Sequence, residues 1–95
     1  MKFEWSEAKN QINIAKHGFD FADAHQIFEL PLFAVLDERE DYGEDRWIGI
    51  GLLSERVVVV VYAEPDADTI RIISLRKALS HERKLYEHYL KNRLG

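Results

Sequence analysis

Three arginines (Arg46, Arg71 and Arg76), one histidine (His17) and one carboxylate (Glu44) stand in short motifs along this chain. A guanidinium is planar and always charged, and it grips a phosphate through two parallel N–H···O bonds. For each arginine the alternative is a salt bridge or an edge charge. His17 lies in the run Lys16-His17-Gly18. There its imidazole can exchange a proton near neutral pH or, with Lys16, complement a helix C-terminus. Glu44 can orient Arg46 or accept a proton; otherwise it is one solvated carboxylate among six acids between Asp37 and Asp45. Displacement at a phosphate ester needs a base, an acid and fixed positive charge around phosphorus, and these residue types can serve all three needs. Spacing raises one difficulty. Arg71 and Arg76 are five residues apart in a single expected strand, and regular alternation sends them to opposite faces of the sheet. They meet one phosphate only through a bulge, or if Arg76 lies beyond the strand end.

The elements that must position these groups are legible in the patterning. Phe3-Glu4-Trp5 alternates apolar and polar as a short strand does. Ser6 can cap a helix with Glu7 in its first turn, Ile12 and Ala15 on one side and Gly18 just past its end. Asp20 can cap a second helix, in which Phe21, Ala24, Ile27 and Phe28 recur before Pro31 stops it. These two form an N-terminal helical hairpin. Strands follow over Leu32–Asp37, Arg46–Leu53, Val57–Ala63 and Thr69–Arg76, with an acidic loop at Glu38–Asp45 and turn chemistry at Glu64–Asp68. Gly49 and Gly51 share one strand face, so something packs close to the backbone there. Val57–Ala63 is apolar on both faces and belongs in the middle of the sheet. Ser80 can cap a C-terminal helix reaching about Arg93, with Leu85, Tyr86, Tyr89 and Leu90 as its buried stripe. The expected class is α+β, an antiparallel sheet with helices on one side.

Ninety-five residues with 46% hydrophobic content make a single domain, residues 1–95, with a real core. There is no cysteine, which removes disulfides, a thiolate nucleophile and zinc–cysteine sites. The first residues carry acids where a signal peptide needs an apolar stretch, and the longest apolar run, Val57 to Ala63, is too short to span a bilayer as a helix. A cytoplasmic protein without membrane contact is expected. The net charge of −4 conceals an asymmetry. Residues 1–70 hold 6 Lys/Arg against 15 Asp/Glu, a balance of −9, whereas residues 71–95 hold 7 against 2, a balance of +5. A basic end of this kind suits a polyanion or an acidic partner, or is a solvated helix face. Direct DNA binding is not expected, given the acidic segment and the lack of a recognition-helix motif. His81 and His88 are two possible ligands without a third, and His81-Glu82 lacks the second histidine of a zinc hydrolase, so no metal is expected. Trp5 and Trp47 can stack on bases but suit the core of a small domain.

Four motifs occur in one order: Phe3-x-Trp5, Asn13-x-x-Lys16-His17-Gly18, Tyr42-Gly43-Glu44-x-Arg46 and Arg71-Ile72-Ile73-Ser74-x-Arg76-Lys77-Ala78. Together they resemble the BrnT family, ribonuclease toxins of bacterial toxin–antitoxin pairs with a RelE-like fold, and the likeness runs from Phe3 to about Tyr86. The resemblance implies an endoribonuclease that inhibits growth without a cofactor. Its catalytic candidates are His17, Glu44, Arg46, Arg71 and Arg76, and its RNA-binding candidates are Lys16, Lys77 and Arg83. It implies neutralisation by a BrnA-like antitoxin carrying a DNA-binding domain, in a heterotetramer. The alternative is a catalytically inactive protein-interaction module of the same fold. The chain departs from the family pattern at Ala63-Glu64-Pro65-Asp66, at Leu75 and at His81.

Overall fold

The computed structural model describes residues 1–94. Helix α1, Glu7–His17, opens where the Ser6 hydroxyl accepts from the Lys9 N–H at 3.3 Å, and closes at Gly18, whose φ of +77° turns the chain out. Its inner face is polar. Asn10 and Asn13 are buried while Ile12 is 67% exposed, the reverse of the apolar expectation. The helix faces backbone groups that need partners. Asn13 Nδ2 donates to the Leu75 carbonyl at 2.9 Å and its Oδ1 accepts from the Leu75 N–H at 3.1 Å, filling the place of a missing strand neighbour. Asn10 does the same for Phe21 N–H at 2.9 Å and donates to Asp20 at 2.9 Å.

Asp20 caps the next segment as expected, accepting from Ala22 N–H, but Phe21–Glu29 is a 3-10 helix. Phe21, Ala24 and Ile27, all fully buried, recur every third residue and line up at three residues per turn. The second helix expected here is therefore this tighter form.

Five strands form one sheet: β1 Lys2–Glu4, β2 Phe33–Leu36, β3 Arg46–Leu53, β4 Arg56–Asp66 and β5 Thr69–Lys77, in the order β1-β5-β4-β3-β2. All neighbours run antiparallel except β1, which lies parallel to β5, so the sheet is mixed. Residues 5–68 separate β1 from β5, ample for the crossover that parallel neighbours require. Strand β4 is central, as its apolar character on both faces demands. It extends through Pro65, whose missing N–H falls in a register gap between Ala63 and Asp66. Only Ala67 and Asp68 remain for the turn.

Both faces of β4 are covered. Val58, Val60 and Tyr62 join Ile72, Leu75, Phe21 and Ile27 under α1 and the 3-10 helix. Val57 and Val59 join Ile50, Phe33, Tyr86 and Tyr89 under the last helix, α2, Ser80–Leu94. Helices thus lie on two sides of the sheet rather than one. Cβ atoms added at Gly49 or Gly51 would come within 2.8 Å of Leu32 or Ile27, so Gly51 marks a close approach of the 3-10 helix and Gly49 one of the segment that follows it. Helix α2 is held by Tyr86, whose hydroxyl donates to the Pro31 carbonyl at 2.6 Å, and by Tyr89 stacked on Phe33. Leu85, expected in that stripe, is half exposed because Tyr86, Tyr89 and Leu90 define the contact line. The start of α2 is capped by Glu82, which accepts from Leu79 N–H at 2.8 Å, rather than by Ser80.

Candidate functional site

The difficulty of the two arginines is resolved by a bulge. On β5, Ser74 faces Val61 and Ile72 faces Tyr62, leaving Ile73 unpaired. The extra residue reverses the alternation, so Arg71, Ser74 and Arg76 share the face that carries Ala63, Val61 and Val59 on β4. One strand further, the same face carries Arg46, Ile48 and Ile50. Helix α2 covers the Ile50 end. The arginines occupy the rest.

Glu44 ties two of them together: it accepts from Arg46 Nε at 3.3 Å and from Arg71 Nη1 at 3.2 Å. Arg71 Nε also donates to Glu4 at 2.8 Å, on the strand beside it, and this partner is the main cause holding the Arg71 guanidinium more firmly charged than usual. The Arg46 guanidinium lies 4.2 Å from the centre of the Tyr42 ring, a cation–π contact. Tyr42 in turn donates to Asp37 at 3.2 Å. Asp37 is fully buried and also accepts from Arg39 Nε and Nη2, each at 2.8 Å; this fork, opposed by burial, pulls the carboxyl well below its usual range. The Asp37 N–H donates to the Arg46 carbonyl at 2.7 Å, continuing the β2–β3 ladder into the loop. Arg76 forms a second fork with Glu82, at 2.8 and 2.9 Å, and the guanidinium lowers the Glu82 carboxyl to about 2.

His17 and Lys16 stand elsewhere on the surface. With Lys9, Ile12, Asn13, Ile73 and Ser74 they line a groove of about 210 Å³ where the end of α1 meets the bulge. That is below the roughly 300–1,000 Å³ of small-molecule sites, so it takes only part of a ligand. Ser74 lines the groove and belongs by register to the arginine face, and it is the link between the two regions. Lys77 ends β5 on the opposite face from Arg76, and Arg83 is exposed on α2; neither is ion-paired among the described residues. Trp5 and Trp47 pack against the core. His81 and His88 line a shallow hollow on α2 with Lys84 and Leu85, and no three His, Asp or Glu side chains among the described residues converge on a metal position. No helix among them is long and apolar enough to cross a membrane.

The structure therefore joins Glu44, Arg46 and Arg71, adds Arg76 on the same face, and leaves His17 and Lys16 at its border. Sequence reasoning missed Glu4, Asp37, Arg39, Ser74 and Glu82. Two of them carried a signal: Arg39 is the only cation from residue 37 to residue 45, and Glu82 stands at the third position of a helix with few acids.

Comparison with known proteins supplies the family. A family model described as the ribonuclease toxin BrnT of type II toxin–antitoxin systems matches residues 5–82, which contain every arginine of this face. The crystal structure of the Brucella abortus ribonuclease toxin BrnT is similar at 33% identity and a TM-score of 0.66, over 84% of this chain and 99% of that one. No curated protein matches significantly. With the arginine face and three motifs inside the matched span, the chain belongs to the BrnT family of ribonuclease toxins of type II toxin–antitoxin systems.

Proposed function

We propose that this chain is itself an active endoribonuclease, working without a metal ion and without the ribosome. The observation that carries this reading is the bulge at Ile73, which sets Arg46, Arg71 and Arg76 on one face of the sheet. In the proposed reaction a base takes the proton of the substrate's 2′-hydroxyl and that oxygen attacks the adjacent phosphorus. The bond to the 5′-oxygen breaks, an acid protonates that oxygen, and a 2′,3′-cyclic phosphate remains. The arginines stabilise the charge that builds on the equatorial oxygens. Glu44 and His17 are the groups suited to the two proton transfers. Lys16, Lys77 and Arg83 add positive charge for the flanking RNA.

A second reading is favoured by one feature: Arg46, Arg71 and Arg76 are each already paired with a carboxylate. An inactive interaction module would keep such pairs closed. Expression of the chain alone, against an Arg46→Ala/His17→Ala double variant, separates the two. Arrest by the native chain only supports the ribonuclease; arrest by neither supports the module. On purified protein, EDTA should leave cleavage intact and a 2′-deoxy nucleotide at the cleavage site should abolish it. Rescue of a chelated sample by magnesium overturns the mechanism.

The partner in this reading is a BrnA-like antitoxin whose DNA-binding domain dimerises, giving a cytoplasmic heterotetramer with two toxin chains. The sheet and its helices suit a RelE-like fold.

A further inference from the structure

Asp37 and Arg39 form a pair with unequal burial. The Asp37 side chain is wholly enclosed, while that of Arg39 is 66% exposed. A carboxylate in an acidic surface loop hydrates at no cost, whereas enclosing one is costly unless every lone pair finds a donor. Here the donors are present: the Arg39 fork, the Arg39 N–H at 3.1 Å and the Tyr42 hydroxyl. The arrangement fixes an otherwise mobile guanidinium. Asp37 occupies Nε and one side of Nη2, so the remaining Arg39 N–H groups face solvent. Position completes the case. Asp37 lies beside Arg46 in the ladder, Tyr42 bridges Asp37 to the Arg46 guanidinium, and Arg39 is close enough to Arg76 for their charges to repel.

We propose that Arg39 is a phosphate-binding residue for RNA on the arginine face, and that Asp37 is the positioning residue that aims it. The proposal rests on the ribonuclease reading and gives that face a fourth cation, beyond the motifs, for the phosphate next to the cleaved one.

The test is binding of a short 2′-O-methyl RNA, which cannot be cleaved, by the purified chain over a series of salt concentrations. Arg39→Ala should weaken binding about tenfold, the scale of a charge-assisted hydrogen bond. It should also lower the slope of log affinity against log salt by about 0.7, one phosphate contact on a single strand. Asp37→Asn should weaken binding less and leave the slope unchanged, since the charge remains but is no longer aimed. The D37N/R39Q double variant removes the enclosed charge together with its partner and should show the same slope loss with an intact fold by circular dichroism. Failure of the native chain to bind RNA overturns the ribonuclease reading and this proposal together. Native binding with unchanged affinity and slope in Arg39→Ala overturns this proposal alone, as does a loss confined to antitoxin binding.

Discussion

Glu82 serves two neighbours with one carboxylate: it forks onto Arg76 and accepts from the Leu79 N–H that opens α2. Its folded carboxyl titrates at about 2 against an ordinary 4.5, chiefly because of Arg76. A depressed carboxyl contributes stability that is complete above the ordinary value and lost as pH falls through the folded one. Between about pH 4.5 and 2 the native protein should therefore lose stability, and Glu82→Gln should flatten that part of a urea-midpoint profile. Glu82→Ala should cost about 1 kcal/mol at neutral pH through the lost cap. It should also lower cleavage more than binding if Arg76 acts mainly on the transition state. Glu44 and the three arginines of this face could be read from the chain, and so could the conflict of parity between Arg71 and Arg76. Its resolution could not, because a bulge is fixed by what the facing strand offers. Asp37 and Arg39 were hidden for a similar reason: in an acidic run nothing local distinguishes the carboxylate that is enclosed from those that are hydrated.

At the scale of elements, the central strand makes the clearest prediction. Amides from Val57 to Val61 should exchange most slowly in the sheet, since β4 is covered on both faces. Exchange there as fast as at Ala67 and Asp68 would contradict the strand order. Gly51→Ala should destabilise by about 1–3 kcal/mol in chemical denaturation, because its methyl would meet the stiff Ile27 branch at 2.8 Å. Strands β3 and β5 were legible nearly to the residue because long apolar patterns mark them, and helix α2 through the recurrence of Tyr86, Tyr89 and Leu90 alone. Helix α1 was legible as a helix but not in its orientation. Its inner face answers the open edge of β5 with two asparagines, and a rule based on apolar spacing turns it the wrong way. The 3-10 form of Phe21–Glu29 escaped for a narrower reason: Phe28 adds a helical interval to an underlying spacing of three. The parallel seating of β1 depends on a partner far along the chain.

Across the whole molecule, the segments of −9 and +5 fold against one another, and Glu4 and Glu44 meet Arg71 across that divide. An acidic antitoxin surface would compete with these same carboxylates. Raising salt should then slow association more than it speeds dissociation, as stopped-flow mixing can measure. An on-rate indifferent to salt would mark an apolar interface instead. Light scattering of the complex should give two toxin chains and two antitoxin chains.

The bond from Glu4 to Arg71 spans 67 residues. A ribosome making this chain delivers Arg71 and Arg76 after β1 to β4, and β1 has no partner until β5 has emerged. The nascent toxin thus lacks two of the arginines of its own face until β5 has emerged, and a chain cut short before β5 carries neither. The order of the strands makes the emergence of β5 a condition for assembling the arginine face at all.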